Sequence, residues 1–296
     1  FKFTSSTRKI RKFKLIMNIE NILSKASKLL NNLNTKNANL DCEVLLSNTI
    51  NKDREYLILN LKQNLDKKYI DFFYNLIERR KKGEPVAYLI NKKEFWKETF
   101  YVNKDVLIPR PDTEHLIEEV IKYTYEDSKL HILDIGTGSG CILLSILRER
   151  KKFNGTGIDI SKKSINISRY NAKKLKLNNR TKFYISDVDN FLIGKYDVVI
   201  SNPPYIENLS LKCLDRDVIN FEPKLALDGG KDGFSEIIKV INKTSALIKK
   251  NGLFILEIGC KQKNKAIRML KSKGFYIKKV LKDYGKNDRC IVSTKI

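Results

Sequence analysis

Asn202, Pro203, Pro204 and Tyr205 stand together at the end of the apolar run YDVVIS. Two adjacent prolines can neither continue a sheet ladder nor enter a helix, so this run must end in a rigid loop. Prolines also fix φ and so hold the neighbouring carbonyls in place. An Asn side-chain oxygen and the Pro203 carbonyl can each accept one N–H of a planar NH2 group, and the Tyr205 ring can pack on that flat group. The four residues offer a grip for an amide or an exocyclic amine about to receive a methyl group. A turn that merely terminates a strand is the plainer alternative.

A second group of residues suits a cofactor. In LDIGTGSGCILLSIL, Asp134 stands two residues before Gly136, and Thr137, Gly138, Ser139 and Gly140 complete a glycine-rich turn. Glycines between a strand and a helix let the backbone bend sharply and approach a ligand without a Cβ clash. Asp159 ends the next strand pattern about twenty residues on, where a carboxylate can accept from two ribose hydroxyls. The dinucleotide fingerprint is GxGxxG, whereas this turn reads GxGxG and has Cys141 at the third glycine position. A carboxylate beside the turn suits an ammonium or sulfonium better than a pyrophosphate, which favours S-adenosyl-L-methionine. Asp187, after TKFYIS, is a third acidic position that can meet an adenine edge, with an exposed loop aspartate as the alternative.

These groups need a scaffold. From residue 129 the chain alternates strand-like and helix-like stretches: LHILDI, a helix from Cys141, GTGIDI, the helix SKKSINISRYNAKKL, TKFYIS, YDVVIS, a helix over Phe234 to Lys249, GLFILEIG and a last helix. That alternation predicts a doubly wound, mostly parallel α/β sheet, with ligands at the carboxyl ends of its strands. GFYIKKVLKD and DRCIVSTKI are expected to close it as a terminal hairpin. Upstream, apolar residues recur three and four apart, as in Ile22, Leu23, Ala26, Leu29, Leu30 and Leu33, and predict four or five short amphipathic helices to about Arg80. Asp41 is a candidate cap for one of them, and Thr113 or Asp112 for the helix after IPRP. Between the two regions, Gly83 and Pro85 break the helical pattern, and Glu94 to Ile108 read as a β-hairpin with its turn near Asn103.

The expected division is residues 17–93 as a helical recognition domain, 94–111 as a hairpin linker and 112–296 as the catalytic domain. Residues 1–16 are basic and acid-free, and Met17 is the expected start. They are set aside as an extension, with an organelle transit segment as the alternative. The expected compartment is therefore the cytoplasm, or the mitochondrion or plastid if 1–16 is a transit segment. A length of 296 residues fits two domains, and a net charge of +24 suits acidic partners or reflects a lysine-rich composition. The lysines are spread along the chain rather than clustered, as the compositional reading expects, and with no separate target-recognition domain in the sequence direct nucleic-acid binding is not expected. Five scattered cysteines and two histidines oppose a disulfide framework or a zinc site, so no metal is expected. No apolar run reaches the length of a membrane span.

Beyond the NPPY loop, GEPVAY, FWKETF, IPRPDTE and FEPKLAL make the chain from about Met17 to the end closely similar to the release-factor glutamine methyltransferases, the PrmC/HemK family. The resemblance is strong from Gly83 onward and weaker before it. It implies a five-helix N-terminal domain, a hairpin linker, a seven-stranded Rossmann-like methyltransferase domain and S-adenosyl-L-methionine as methyl donor. The implied substrate is the glutamine amide of the Gly-Gly-Gln tripeptide in class I peptide chain release factors, and a monomeric enzyme is expected. By motif, Gly136 to Gly140, Asp159 and Asn202 are implied to contact the cofactor. Asn202 to Tyr205 are implied to grip the glutamine, and Phe100 matches an aromatic beside the methyl and glutamine pocket. Val188 stands where some members carry an aromatic over the adenine. A DNA or RNA amino-methyltransferase is the rival enzyme, and a ribosome- or RNA-binding protein with a vestigial cofactor fold is the rival of another class.

Overall fold

The computed structural model describes residues 17–31 and 37–296. The basic segment 1–16 and Leu33 lie outside these residues. The described residues form two compact units, one ending at Ile90 and the other running from Asn91 to Ile296.

The first unit is helical. Its elements are a two-residue strand β1 (Met17–Asn18), α1 (Ile19–Asn31), α2 (Ala38–Ile50), α3 (Arg54–Leu59), β2 (Asn64–Leu65), α4 (Lys67–Lys81) and α5 (Val86–Leu89). β1 and β2 pair antiparallel. Helix α1 buries Ile19, Ile22, Ala26 and Leu30, the three- and four-residue spacing of one helical face. That face joins Leu45 and Leu46 of α2 and Phe73, Leu76 and Ile77 of α4 in one core. Asp53 caps α3 by accepting the Tyr56 N–H at 2.8 Å. Asp41 caps nothing. It lies inside the first turn of α2, whose N-cap is Asn37, and its carboxylate accepts from Arg80 at 2.7 Å.

The second unit opens with β3 (Lys93–Phe95) and β4 (Glu98–Phe100), then α6 (Glu114–Tyr123), β5 (His131–Ile135), α7 (Cys141–Glu149), β6 (Asn154–Asp159), α8 (Lys162–Lys174), β7 (Thr181–Ile185) and β8 (Tyr196–Ser201). It continues with α9 (Arg216–Phe221), α10 (Ser235–Leu247), β9 (Ile248–Glu257), α11 (Lys263–Ser272), β10 (Phe275–Lys282) and β11 (Asp288–Lys295). Seven strands form one sheet in the order β10-β11-β9-β8-β5-β6-β7. The pairs from β9 to β7 are parallel, while β11 runs antiparallel to both of its neighbours. Helices α6, α7 and α8 cover one face through Leu116, Ile117, Leu143, Leu147 and Ile165. Helices α10 and α11 cover the other through Ile237, Ile241, Ala266 and Leu270. Among the described residues no helix is long and apolar enough to cross a membrane.

The hairpin turns earlier than the sequence suggests. Phe95 pairs with Glu98, so Trp96 and Lys97 make the turn, not the region of Asn103. Trp96 adopts a left-handed φ of 56°. Two bonds at 2.7 Å offset that cost: its backbone N–H donates to Glu114 and its indole to Glu149. Asn103 instead bends the following loop by accepting the Asp105 N–H at 2.9 Å. Thr113 does stand at the N-cap of α6, but its backbone is already helical, because a 3-10 turn, Pro111–Thr113, runs straight into α6, and its side chain makes no capping bond.

Candidate active site

Strand β5 has β6 on one side and β8 on the other, so the strand order reverses there. At such a switch point the loops leaving adjacent strands diverge and open a crevice at their carboxyl ends. The glycine turn follows β5 and the Asn202-Pro203-Pro204-Tyr205 loop follows β8, so the topology makes them neighbours. The Ser201 hydroxyl donates to the Ile135 carbonyl at 2.8 Å and ties the two strand ends together.

A cavity of about 300 Å³ lies in this crevice. Gly136, Gly138, Asp159, Asp187, Val188, Asn202, Pro203 and Pro204 all line it. The glycine turn is held by the Ile158 carbonyl, which accepts the N–H groups of Gly136 and Thr137 at 2.9 Å each. Gly136 has φ +76°, and a Cβ built there would meet nothing within 4 Å, so the turn faces open space. Gly140 differs, because a Cβ there would lie 3.0 Å from Leu144 and crowd the strand-to-helix packing. Thr137 and Ser139 are buried and outside the lining, so their contribution is to shape the turn. Helix α8 braces it from behind. The Ser168 hydroxyl donates to the Gly138 carbonyl at 2.7 Å, and the buried Asn171 amide donates to the Ser139 carbonyl at 2.9 Å.

Asp134 sits beneath the turn, fully buried, and does not reach the cavity. It accepts the Thr137 hydroxyl at 2.7 Å, and its other oxygen has no partner. Burial pushes its carboxyl up to about 7, against the lowering effect of the Thr137 bond. Asp159 does face the cavity. Its two oxygens accept the N–H groups of Gly138 and Ser161 at 2.9 Å each. A carboxylate has about four acceptor sites, so about two remain for ligand hydroxyls. Burial raises this carboxyl as well, which favours any ligand that donates to it.

The lining is acidic although the chain is strongly basic. It carries Asp105, Asp159, Asp187, Asp228 and Glu236, against Lys239 as its basic residue. Lys239 is already bonded to Glu236 at 2.8 Å. A phosphate-bearing ligand would meet repulsion there, whereas a sulfonium and an ammonium suit it. Ile160, Val188, Val240 and Leu225 supply apolar lining for a flat base. Ile160 is 52% exposed, an aliphatic surface left bare directly after Asp159. Sequence reasoning missed it, together with Val106, Leu107, Ser161 and Ser164. The signal available was proximity to the quoted motifs, since these residues directly precede IPRP or follow Asp159.

Two expected members lie elsewhere. Phe100 is fully buried in the core, edge-on to Phe95 with centroids 6.2 Å apart. It is not among the residues that line the cavity. Tyr205 is also outside the lining. Its hydroxyl donates to Glu257 at 3.2 Å, and Arg289 lies 5.5 Å from its ring centroid. The backbone beyond it is anchored by Gln262, which donates to the Tyr205 carbonyl at 3.0 Å. Asn202 directs its NH2 at the Thr113 hydroxyl, 3.2 Å away.

A reversed parallel sheet, a glycine turn, a diol-competent carboxylate and an acidic crevice define a Rossmann-like methyltransferase domain. A family model described as a methyltransferase domain matches residues 126–291, and one described as the PrmC N-terminal domain matches residues 21–90. The release factor glutamine methyltransferase of Buchnera aphidicola subsp. Schizaphis graminum is 37% identical over 279 residues, covering 94% of this chain and all of that one. That of Clostridium acetobutylicum is 35% identical over 94% of this chain and 99% of its own length. The chain belongs to the release factor glutamine methyltransferase family. A bifunctional methyltransferase of Rickettsia conorii is 35% identical, but this chain spans only 58% of its length.

Proposed function

We propose that the protein transfers a methyl group from S-adenosyl-L-methionine to the side-chain amide nitrogen of the glutamine in the Gly-Gly-Gln tripeptide of class I peptide chain release factors. The observation that carries this is the carboxamide of Asn202, which points its NH2 at Thr113 and leaves its oxygen to accept at the wall of an acidic crevice. The relatives that this chain matches over 99% or more of their own length bear the release-factor name. No feature of the crevice favours a nucleic-acid substrate or a vestigial fold.

S-adenosyl-L-methionine, when bound, supplies an electrophilic methyl on a sulfonium. Asp159 would accept from its ribose hydroxyls, Asp187 and Val188 would border its base, and Gly136 and Gly138 would admit it close to the backbone. A glutamine amide nitrogen is a poor nucleophile, because its lone pair is delocalised into the carbonyl. The Asn202 oxygen and the Pro203 carbonyl accept its two hydrogens and fix its orientation. They stabilise positive charge as it develops on nitrogen, so their effect is larger in the transition state than in the ground state. Positioning supplies much of the remaining acceleration. Attack by the nitrogen would break the methyl–sulfur bond, leaving its electron pair on a neutral thioether, and the N-methylamide cation so formed is strongly acidic and loses its proton to water, so no general base is required. Pro203 and Pro204 hold the acceptors rigid, and Tyr205 anchors the loop rather than touching the amide.

The test is transfer of labelled methyl from S-adenosyl-L-methionine to purified release factor, followed by peptide mapping. Label on the Gly-Gly-Gln glutamine is expected. Label absent from that peptide, or found on nucleic acid instead, would overturn the assignment.

A further inference from the structure

The prolines of the substrate loop stiffen it only as far as they reach. Asn202 and Pro203 each precede a proline, which confines both to extended backbone, and the rings of Pro203 and Pro204 fix their own φ. The first torsion these rules leave free is ψ of Pro204, because Tyr205 follows it. Neither proline has an N–H, so neither can tie the loop down by a backbone donor. The restraints begin at the next residue. The Tyr205 carbonyl accepts from Gln262 at 3.0 Å, and its hydroxyl donates to Glu257 at 3.2 Å. Ile206 then forms a short parallel bridge with Asp228. Its N–H donates to the Leu227 carbonyl at 3.1 Å, and its carbonyl accepts from Gly229 at 2.9 Å.

Gln262 spends its whole carboxamide on this joint. Its oxygen accepts the Gly259 N–H at 2.8 Å, which sets the NH2 on the other side. That NH2 has two hydrogens. One goes to the Tyr205 carbonyl and the other to the Gly233 carbonyl at 2.8 Å. The backbone N–H of Gln262 donates to the Gly259 carbonyl at 3.0 Å, so main chain and side chain are both held to Gly259. Three segments meet here: the loop after β8, the stretch 227–233 before α10, and the turn between β9 and α11. Gly233 shows how closely they approach. It has φ +69°, and a Cβ there would lie 2.6 Å from the Tyr205 carbonyl oxygen and 3.0 Å from Nε2 of Gln262. Pro203, Pro204 and Asp228 line the cavity on the near side of the joint, whereas Gln262 does not.

We propose that Gln262 is a positioning residue for methyl transfer: by locking the Tyr205 carbonyl to the Gly233 segment, it sets the aim of the Asn202 oxygen and the Pro203 carbonyl at the substrate amide. The proposal rests on the assignment of those two groups as acceptors for that amide. The Asn-Pro-Pro unit is stiff in itself, so it moves as one piece about ψ of Pro204. Fixing Tyr205 removes that motion, and the clamp acts at the torsion that the prolines leave free. A misplacement of about 1 Å at reacting groups can cost about a hundredfold in rate. Cofactor affinity should not share the loss, because Gln262 touches neither the glycine turn nor Asp159.

Two variants of the full chain, with folding checked by circular dichroism, test the clamp. Gln262→Met keeps the length of the side chain and removes the carboxamide. Gly233→Ala attacks the same carbonyl sterically and serves if Gln262→Met does not fold. The first measurement needs no substrate. Amide hydrogen exchange at Ile206, Asn208 and Gly229 should quicken at least about tenfold, while β5 and β8 stay within about threefold of wild type. Unchanged exchange at those three amides overturns the clamp. The second measurement follows methylation of release factor. The value of kcat should fall roughly ten- to hundredfold, with KM for release factor and the calorimetric affinity for S-adenosyl-L-methionine each within about threefold. A side chain that merely fills space would leave Gln262→Met at the wild-type rate, and that result overturns the proposal, as does a loss confined to KM. If the wild-type protein does not methylate release factor at all, the substrate assignment falls, and the exchange rates alone decide the clamp.

Discussion

The site divides its labour between residues that face the ligand and residues that hold them, and substitutions should separate the two. Asp159→Ala removes charge-assisted bonds to a ribose, each worth about 1.5–3 kcal/mol. Affinity for S-adenosyl-L-methionine should fall at least about tenfold in calorimetric titration while the fold persists. Unchanged affinity would sink the cofactor assignment. Asn202→Ala should act differently, lowering kcat by about a hundredfold with little change in cofactor affinity. Single-turnover methylation at saturating cofactor distinguishes them, and a wild-type rate would mean that the loop only ends a strand.

Asp134 makes a pH-dependent prediction at the same scale. Its folded carboxyl sits near 7, against about 3.9 in an unfolded chain. A carboxyl raised on folding favours the native state at low pH. That contribution is complete below about pH 4 and is lost as pH rises through about 7. An amide in place of this carboxyl has no proton to lose over that range. Asp134→Asn should therefore gain stability relative to the wild type as pH rises across this window. Thermal melts at about pH 5 and about pH 8 check it. An equal difference at both values would contradict the burial argument.

At the level of elements, Glu222 ties two segments of the crevice wall together. It is buried in the FEPKLAL stretch and accepts the Ile108 N–H at 3.2 Å and the Arg110 guanidinium at 2.5 Å. Leu107 on one side and Pro223 and Leu225 on the other both line the cavity. Glu222→Ala leaves a buried N–H and a guanidinium unpaired, a loss of about 2–4 kcal/mol. Denaturant unfolding should show that loss, and methylation should weaken through KM for the release factor. A stability within about 0.5 kcal/mol of wild type would show that the segments do not depend on each other.

The parallel sheet, the glycine turn and the rigid loop were legible because each follows from local chemistry: apolar runs, φ above zero and the lack of a proline donor. What stayed hidden depends on partners distant in sequence. The hairpin turns at Trp96 only because Glu114 and Glu149 hold it there. Asp41 looked like a cap because nothing nearby announces Arg80 as its partner. Tyr205 looked like a ligand-facing ring because its true neighbours, Glu257 and Arg289, lie in strands that follow much later. Phe100 was assigned by motif, and its packing against Phe95 in the core, which motif matching does not report, is what places it there.

On the scale of the whole molecule, the two units have separate cores. The helical core is confined to residues 19–89, and the sheet carries the cavity entirely within residues 105–240. The helical unit is expected to recognise the protein substrate, since it pairs amphipathic helices with no catalytic constellation. A fragment from Asn91 onward, its folding checked by circular dichroism, should retain cofactor affinity within about threefold and lose at least about tenfold in methylation of full-length release factor. Equal activity of fragment and full chain would remove the recognition role.

The place of β11 has a consequence for how the protein comes into being. The last strand in sequence is not at an edge but between β9 and β10, and it brings Arg289 to the Tyr205 ring. Synthesis delivers segments in order, so the glycine turn, the Asn202 loop and most of their supports emerge from the ribosome well before that strand. Until it inserts, β9 has an open edge and the loop lacks one of its braces. A chain broken off before Asp288 therefore carries every ligand-facing residue yet remains an unfinished tool. On this order of synthesis, the loop is fully braced only once β11 is in place.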